Sequence, residues 1–168
     1  MNCPAIGLSG ADFNVLQSHK RIVKEIDYGW VGDIDAVNSQ GIKALIEMGA
    51  VPVFCPITHD KQGHLLNTNA DTISATLAAS LAKLYDVRLV YCFEKQGVLS
   101  DPEDDDSVIP AITKQSYQTL RQTGVITEGM IPKIDNAFMA VEGGAVSVVI
   151  GGLNAILDEA VGTTVSLE

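Results

Sequence analysis

The sequence predicts an α/β protein built on a mainly parallel sheet with a β-hairpin addition, and three observations carry that prediction. Short runs rich in Val and Ile, at 4–8, 51–57, 87–93 and 145–150, alternate with runs of helical periodicity at 39–48, 70–84, 109–124 and 132–142. Strands that alternate with helices in this way form βαβ units. Aromatic content is only 5% against 46% hydrophobic residues, with 15 glycines, so Ala, Val, Ile and Leu have to supply the core. The stretch 20–34 alternates imperfectly, turns at Gly29 and resumes at Trp30, which reads as a hairpin.

At 168 residues the chain is long enough for one domain, 1–168, with its own core, and no repeat or low-complexity linker interrupts it. The net charge is −10 and the Lys and Arg residues are scattered. Binding a nucleic-acid backbone relies on a basic patch, so no nucleic-acid partner is expected. No apolar run approaches the ~20 residues needed to span a bilayer, and the start lacks the basic-then-apolar order of a signal peptide. A cytoplasmic protein with no membrane partner is expected. Cys3, Cys55 and Cys92 are odd in number and contain no C-x-x-C pair, which indicates neither a disulfide framework nor a zinc site. Cys55 and Cys92 lie within apolar runs and are expected to be buried thiols.

Along the chain, Ala5 to Leu8 reads as a strand leading into a loop with Gly7 and Gly10, a spacing too common in turns to mark a nucleotide site by itself. A helix is expected from Ser39, with Ile42, Leu45, Ile46 and Met48 as its apolar stripe and Gly49 as its terminator. The uninterrupted run 51–57 predicts a strand covered on both faces, and Thr58 to Gly63 a polar turn. From Asp71 a helix places Ile73, Leu77, Leu81 and Leu84 on one face, with Ala75, Ala78, Ala79 and Ser80 small enough for close packing on a sheet. The strand 87–93 delivers Glu94, Lys95 and Gly97 beyond its carboxyl end, where open α/β sheets bind ligands. The acidic run Asp101 to Asp106 lacks the glycine and final glutamate of a calcium loop and reads as solvated. A helix around Tyr117 and Leu120 is expected over 109–124, and a short helical segment over 154–160. The stretch 162–165 reads as extended.

Two polar clusters sit where helices begin. In the first, Asn67, Asn69 and Asp71 alternate just after an apolar run. A helix start presents unpaired N–H groups and a partial positive charge, so such residues either cap the helix or hold an anionic ligand. For any one of the three, capping is the more economical reading; together they point to a phosphate site. In the second cluster, 127–136, Pro132 suits a first helical turn, and Lys133 lies away from the apolar face of Ile134, Ala137, Phe138 and Val141. The helix dipole disfavours a lysine there, and a bound phosphate removes the conflict. The alternative is a lysine in solvent.

With Asn67-Thr68-Asn69-Ala70-Asp71, Gly97-Val98-Leu99 and Gly129-Met130-Ile131-Pro132-Lys133 in this order, the chain resembles the acetylglutamate kinases of the amino-acid kinase family. The opening at 5–12 and the close at 162–165 also match. The resemblance implies a three-layer αβα sandwich and transfer of the ATP γ-phosphoryl group to the side-chain carboxylate of an N-acylated glutamate, in arginine biosynthesis. It implies Lys133 and Asp71 as catalytic, the lysine neutralising charge on the phosphoryl group and the aspartate organising the site. Asn67 and Asn69 would bind the acyl-amino acid; Glu94, Gly97, Gly129 and Met130 would bind the nucleotide, with Mg²⁺ carried by ATP and no metal held by the chain. The complete family enzyme is expected to be a homo-oligomer.

Two features depart from the family pattern. Phe93 and Glu94 stand where many members carry a Ser/Thr-Asp pair, and the wording Cys92-Phe93-Glu94-Lys95 resembles a subgroup whose acyl group is succinyl. The family also carries an N-terminal lobe with a Gly-rich loop, a second lysine, a substrate-binding arginine and most of the dimer interface. That pattern is absent from these residues, so the chain is expected to correspond to the C-terminal ATP-binding lobe and to turn over little by itself. A module that binds nucleotide or anion without transfer is the alternative.

Overall fold

A computed structural model describes residues 3–126, 129–158 and 160–168, and in it the chain divides into two units, 1–77 and 78–168. The first unit holds β1 (Ala5–Leu8), β2 (Leu16–Lys20), β3 (Gly32–Val37), α1 (Ser39–Glu47), β4 (Val51–Phe54), β5 (Ile57–His59), β6 (Leu65–Asn67) and the start of α2 (Ala70–Leu81). β1 pairs in parallel with β4, from Ala5 opposite Val51 to Leu8 opposite Phe54. A second sheet runs β3-β2-β5-β6, antiparallel within its two hairpins and parallel where β2 meets β5. Val15, Leu16, Ile42, Leu45 and Leu66 are buried. α1 begins as its sequence requires: the Asn38 side chain accepts from the Gly41 N–H, and Gly49 follows the helix with φ +84.

The second unit holds the rest of α2, β7 (Arg88–Cys92), β8 (Ala111–Ile112), α3 (Lys114–Gln122), α4 (Ile131–Glu142), β9 (Ser147–Gly151) and β10 (Thr163–Val165). Its sheet order is β7-β9-β10-β8, parallel at β7/β9 and β10/β8 and antiparallel at β9/β10. α4 buries Ile134, Ala137, Phe138 and Ala140, while β9 buries Val148, Val149 and Ile150. Among the described residues no helix is long and apolar enough to cross a membrane.

The α/β expectation holds, with corrections to individual elements. The hairpin exists, but its strands are β2 and β3. Residues 21–31 form the connection, with isolated bridges at Val23–Ile26 and Val31–Asn67, because the ladder stops where Arg21 N–H reaches the Val31 carbonyl. A second hairpin, β5/β6, replaces the predicted turn at 58–63; its ladder runs from Ile57/Asn67 to His59/Leu65.

The run 51–57 is not one strand covered on both faces. Pro56, which has no N–H to donate, separates β4 from β5, and Val51 and Val53 are 45% and 53% exposed. Alternation also overturns the cysteine expectation: Cys55 lies just past β4, Cys92 points opposite the buried Tyr91, and both thiols are exposed.

Residues 111–112 are strand rather than helix. α3 starts later because Thr113 and Ser116 form a reciprocal capping box, each side chain accepting from the other's N–H. The segment after β9 is a 3-10 turn, Leu153–Ile156. Ala79 packs closely on the end of α4: a Cβ on Gly143 would lie 2.2 Å from its Cβ.

Candidate functional site

Asn67, Asn69 and Asp71 all belong to the first unit, and the elements around them fix each one differently. Asn67 ends β6, exposed, with its N–H donated to the Trp30 carbonyl at 2.7 Å. Asn69 caps α2: its Oδ1 accepts from the Thr72 N–H at 3.0 Å. Capping thus engages Asn69 Oδ1, and its Nδ2 is the group it could turn to a ligand. Asp71 is half-buried in the first turn of α2, where a carboxylate suits the dipole.

Between the asparagines, Thr68 is buried and its Oγ1 lies 2.9 Å from Thr58 Oγ1 while donating to the Gly32 carbonyl at 3.1 Å. Gly32 has no room for a side chain, since a Cβ would stand 2.8 Å from Leu66 Cβ. This stitching, and not the asparagines themselves, sets where 67–69 lie. Thr68→Val leaves Thr58 Oγ1 without that hydroxyl partner and is expected to cost about 1–3 kcal/mol. A lowered chemical-denaturation midpoint at unchanged slope checks it, and an unchanged midpoint refutes it.

In the second unit the predicted nucleotide residues separate. Gly97 and Met130 line one cavity of about 160 Å³ with Phe93, Lys95, Val98 and Ile126; its walls are mostly apolar. Whole-ligand pockets run to about 300–1,000 Å³, so this one fits a flat ring rather than a complete nucleotide. Glu94 is exposed and Gly129 is exposed, and neither lines it. Thr127 and Glu128, part of the predicted second cluster, lie outside the described residues.

Thr163 does not line the cavity but holds its wall at Val98. Its Oγ1 accepts from Val98 N–H at 2.8 Å and donates to the Ile109 carbonyl at 2.7 Å. Gly97 is required by the same packing, because a Cβ there would be 2.5 Å from Val108 Cγ1 and 2.9 Å from Thr163 Oγ1.

Met130 is also the N-cap of α4 and supplies no side-chain cap, so the first-turn N–H groups there are suited to an anion. Lys133 stands in that turn. It is not the solvated lysine of the alternative reading: it is half-buried, with Nζ 4.9 Å from the centroid of the buried Tyr91 ring. Lys95, at the cavity edge, pairs with Asp105 at 2.5 Å, and that carboxylate raises its pKa. The acidic loop is therefore tied back to the strand end it follows.

The family model described as the amino acid kinase family matches residues 1–152. The chain belongs to the amino acid kinase family. A Phocaeicola vulgatus protein named acetylglutamate kinase is 54% identical over 161 residues, covering 96% of this chain and 62% of its own length. Another of that name, from Bacteroides thetaiotaomicron, is 54% identical over 154 residues, 92% of this chain and 60% of its own. The crystal structure of smu.665 from Streptococcus mutans UA159 superimposes with a TM-score of 0.81 at 29% identity, covering 99% of this chain and 62% of that one. The chain thus spans less than two thirds of the length of these relatives.

In this amino acid kinase chain several polar contacts had no signal in the sequence. Tyr117 donates to Asp135 at 2.7 Å across α3 and α4, and burial, then this carboxylate, push its phenol up to about 12. Trp30 stacks on His64 at 4.7 Å between centroids, and His64 Nδ1 lies 2.7 Å from Asp60. Burial opposes ionisation of Asp60, but the Gln62 N–H and the His64 side chain and N–H outweigh it and hold that carboxyl at about 2. Arg21 pairs with Asp33 by both Nε and Nη2. Tyr117–Asp135, Trp30–His64 and Arg21–Asp33 join residues that only the fold brings together, whereas Asp60 and His64 stand close in sequence, between β5 and β6.

Proposed function

We propose that this chain is part of an acylglutamate kinase, which moves the γ-phosphoryl group of ATP to the side-chain carboxylate of N-acetyl- or N-succinylglutamate and yields an acyl phosphate for arginine biosynthesis. The observation that carries the reading is the 54% identity to proteins named acetylglutamate kinase over nearly the whole chain. The geometry of the second unit agrees with it. An apolar, ring-sized cavity next to a helix start that its N-cap residue Met130 does not cap suits a base and an anionic phosphate chain.

Phosphoryl transfer needs chiefly positioning and charge stabilisation. Lys133 neutralises charge developing on the transferred group, and Asp71 organises the groups around it. Asn67 and Asn69 bind the acyl-amino acid; Gly97, Met130, Glu94 and Gly129 serve the nucleotide, Glu94 and Gly129 from outside the cavity wall. The substrate carboxylate is already a nucleophile, so no general base is assigned. Mg²⁺ travels on the ATP phosphates and supplies further charge neutralisation. A cytoplasmic homo-oligomer is the proposed setting of the complete enzyme.

Calorimetric titration with Mg-ATP, run beside a turnover assay with both acylglutamates, tests this. The 168-residue chain is expected to bind Mg-ATP and to turn over little by itself. Absence of nucleotide binding would overturn the kinase reading, and robust turnover would overturn the second expectation.

A further inference from the structure

We infer that Tyr91 is a positioning residue for Lys133, its ring face holding the ammonium beside the start of α4; the link to phosphate rests on the kinase reading above. Tyr91 is the penultimate residue of β7 and only 5% exposed, so the surrounding core fixes its ring. Lys133 is the third residue of α4, and its Nζ stands 4.9 Å from that ring's centroid, within the range of a cation–π contact. The helix end and the ring act on the ammonium in opposite senses. The positive end of α4 repels it. The electron-rich ring face attracts it by a similar or larger amount where water is partly excluded. The ring therefore offsets the helix and keeps a flexible four-carbon chain near the first-turn N–H groups, where a terminal phosphate would need it. Lysine loses much rotamer freedom when it is held, so a prearranged ammonium lowers the cost of binding the phosphate.

The contact is a property of this chain's residues and can be read without turnover. In protein labelled with ¹³C at the lysine ε-carbon, the Lys133 ε-methylene resonance, assigned by its loss in Lys133→Arg, is expected upfield of the other lysines through the ring current of Tyr91. Tyr91→Phe, which keeps the ring, should preserve that shift and the affinities for Mg-ATP and AMP. Tyr91→Leu should abolish the shift and weaken Mg-ATP about fivefold while leaving AMP unchanged. A shift that survives Tyr91→Leu overturns the inference, as does its loss in Tyr91→Phe, since the hydroxyl and not the ring face would then be responsible. If Tyr91→Leu removes the shift without changing Mg-ATP affinity, the positioning stands and the assignment of Lys133 to phosphate falls.

Discussion

Replacing Lys133 with Ala in the active enzyme is expected to lower kcat on the order of 10²–10³-fold while KM for ATP moves far less. The size is that of losing one fixed donor aimed at developing charge, and the split between kcat and KM marks an interaction made mainly in the transition state. Stability should barely change, which separates this variant from one that fails to fold. The unfavourable helix-end charge, about 0.3–1 kcal/mol, opposes the favourable contact with Tyr91, about 0.5–2 kcal/mol, and Lys133 is only half-buried. Steady-state kinetics paired with thermal melting reads both. An unchanged rate would discredit the catalytic assignment, and a large loss of melting temperature would give Lys133 a structural role instead.

Gly143→Ala is expected to destabilise the second unit by about 1–3 kcal/mol, lowering the melting temperature by several degrees. Glycine is not needed there for its backbone: φ is −75, and alanine gains about 0.5–1 kcal/mol in a helix. The collision decides the sign, because the new Cβ would lie 2.2 Å from Ala79 Cβ and 2.9 Å from its Cα, on a helix that cannot yield as a flexible side chain can. Combining it with Ala79→Gly should leave the protein more stable than Gly143→Ala alone, although glycine inside α2 itself costs about 1 kcal/mol. Additive losses in the double variant would show that the two positions do not collide.

Much of the chain was legible before any fold was known. Helical spacing marked Ile42 and Leu45 on α1 and Ile134, Ala137 and Phe138 on α4, and all five are buried. Small polar residues marked the helix starts, and at Asn69 the economical reading is part of the answer, since its side chain does cap α2. Apolar runs located strands but overstated their burial. Composition reports what a strand is made of, and alternation decides which side chains are covered, as Val51, Val53, Cys55 and Cys92 show. The β5/β6 hairpin went unseen because Thr58 and His59 look like turn residues; pairing with Leu66 and Leu65 makes them strand.

By itself the sequence determined the α/β class, the order of most elements and the family, because periodicity, turn residues and the spacing of short motifs are local. Tertiary structure decided which candidate residues can act and with what support. It set Gly97 and Met130 on one cavity and left Glu94 and Gly129 off its wall; it tied Thr163, distant in sequence, to Val98 on that wall, and it put Tyr91 under Lys133. The physical reason is that burial, hydrogen bonding and ring contact depend on distance in space, and residues 42 or 65 positions apart have none of these until strands pair and helices pack.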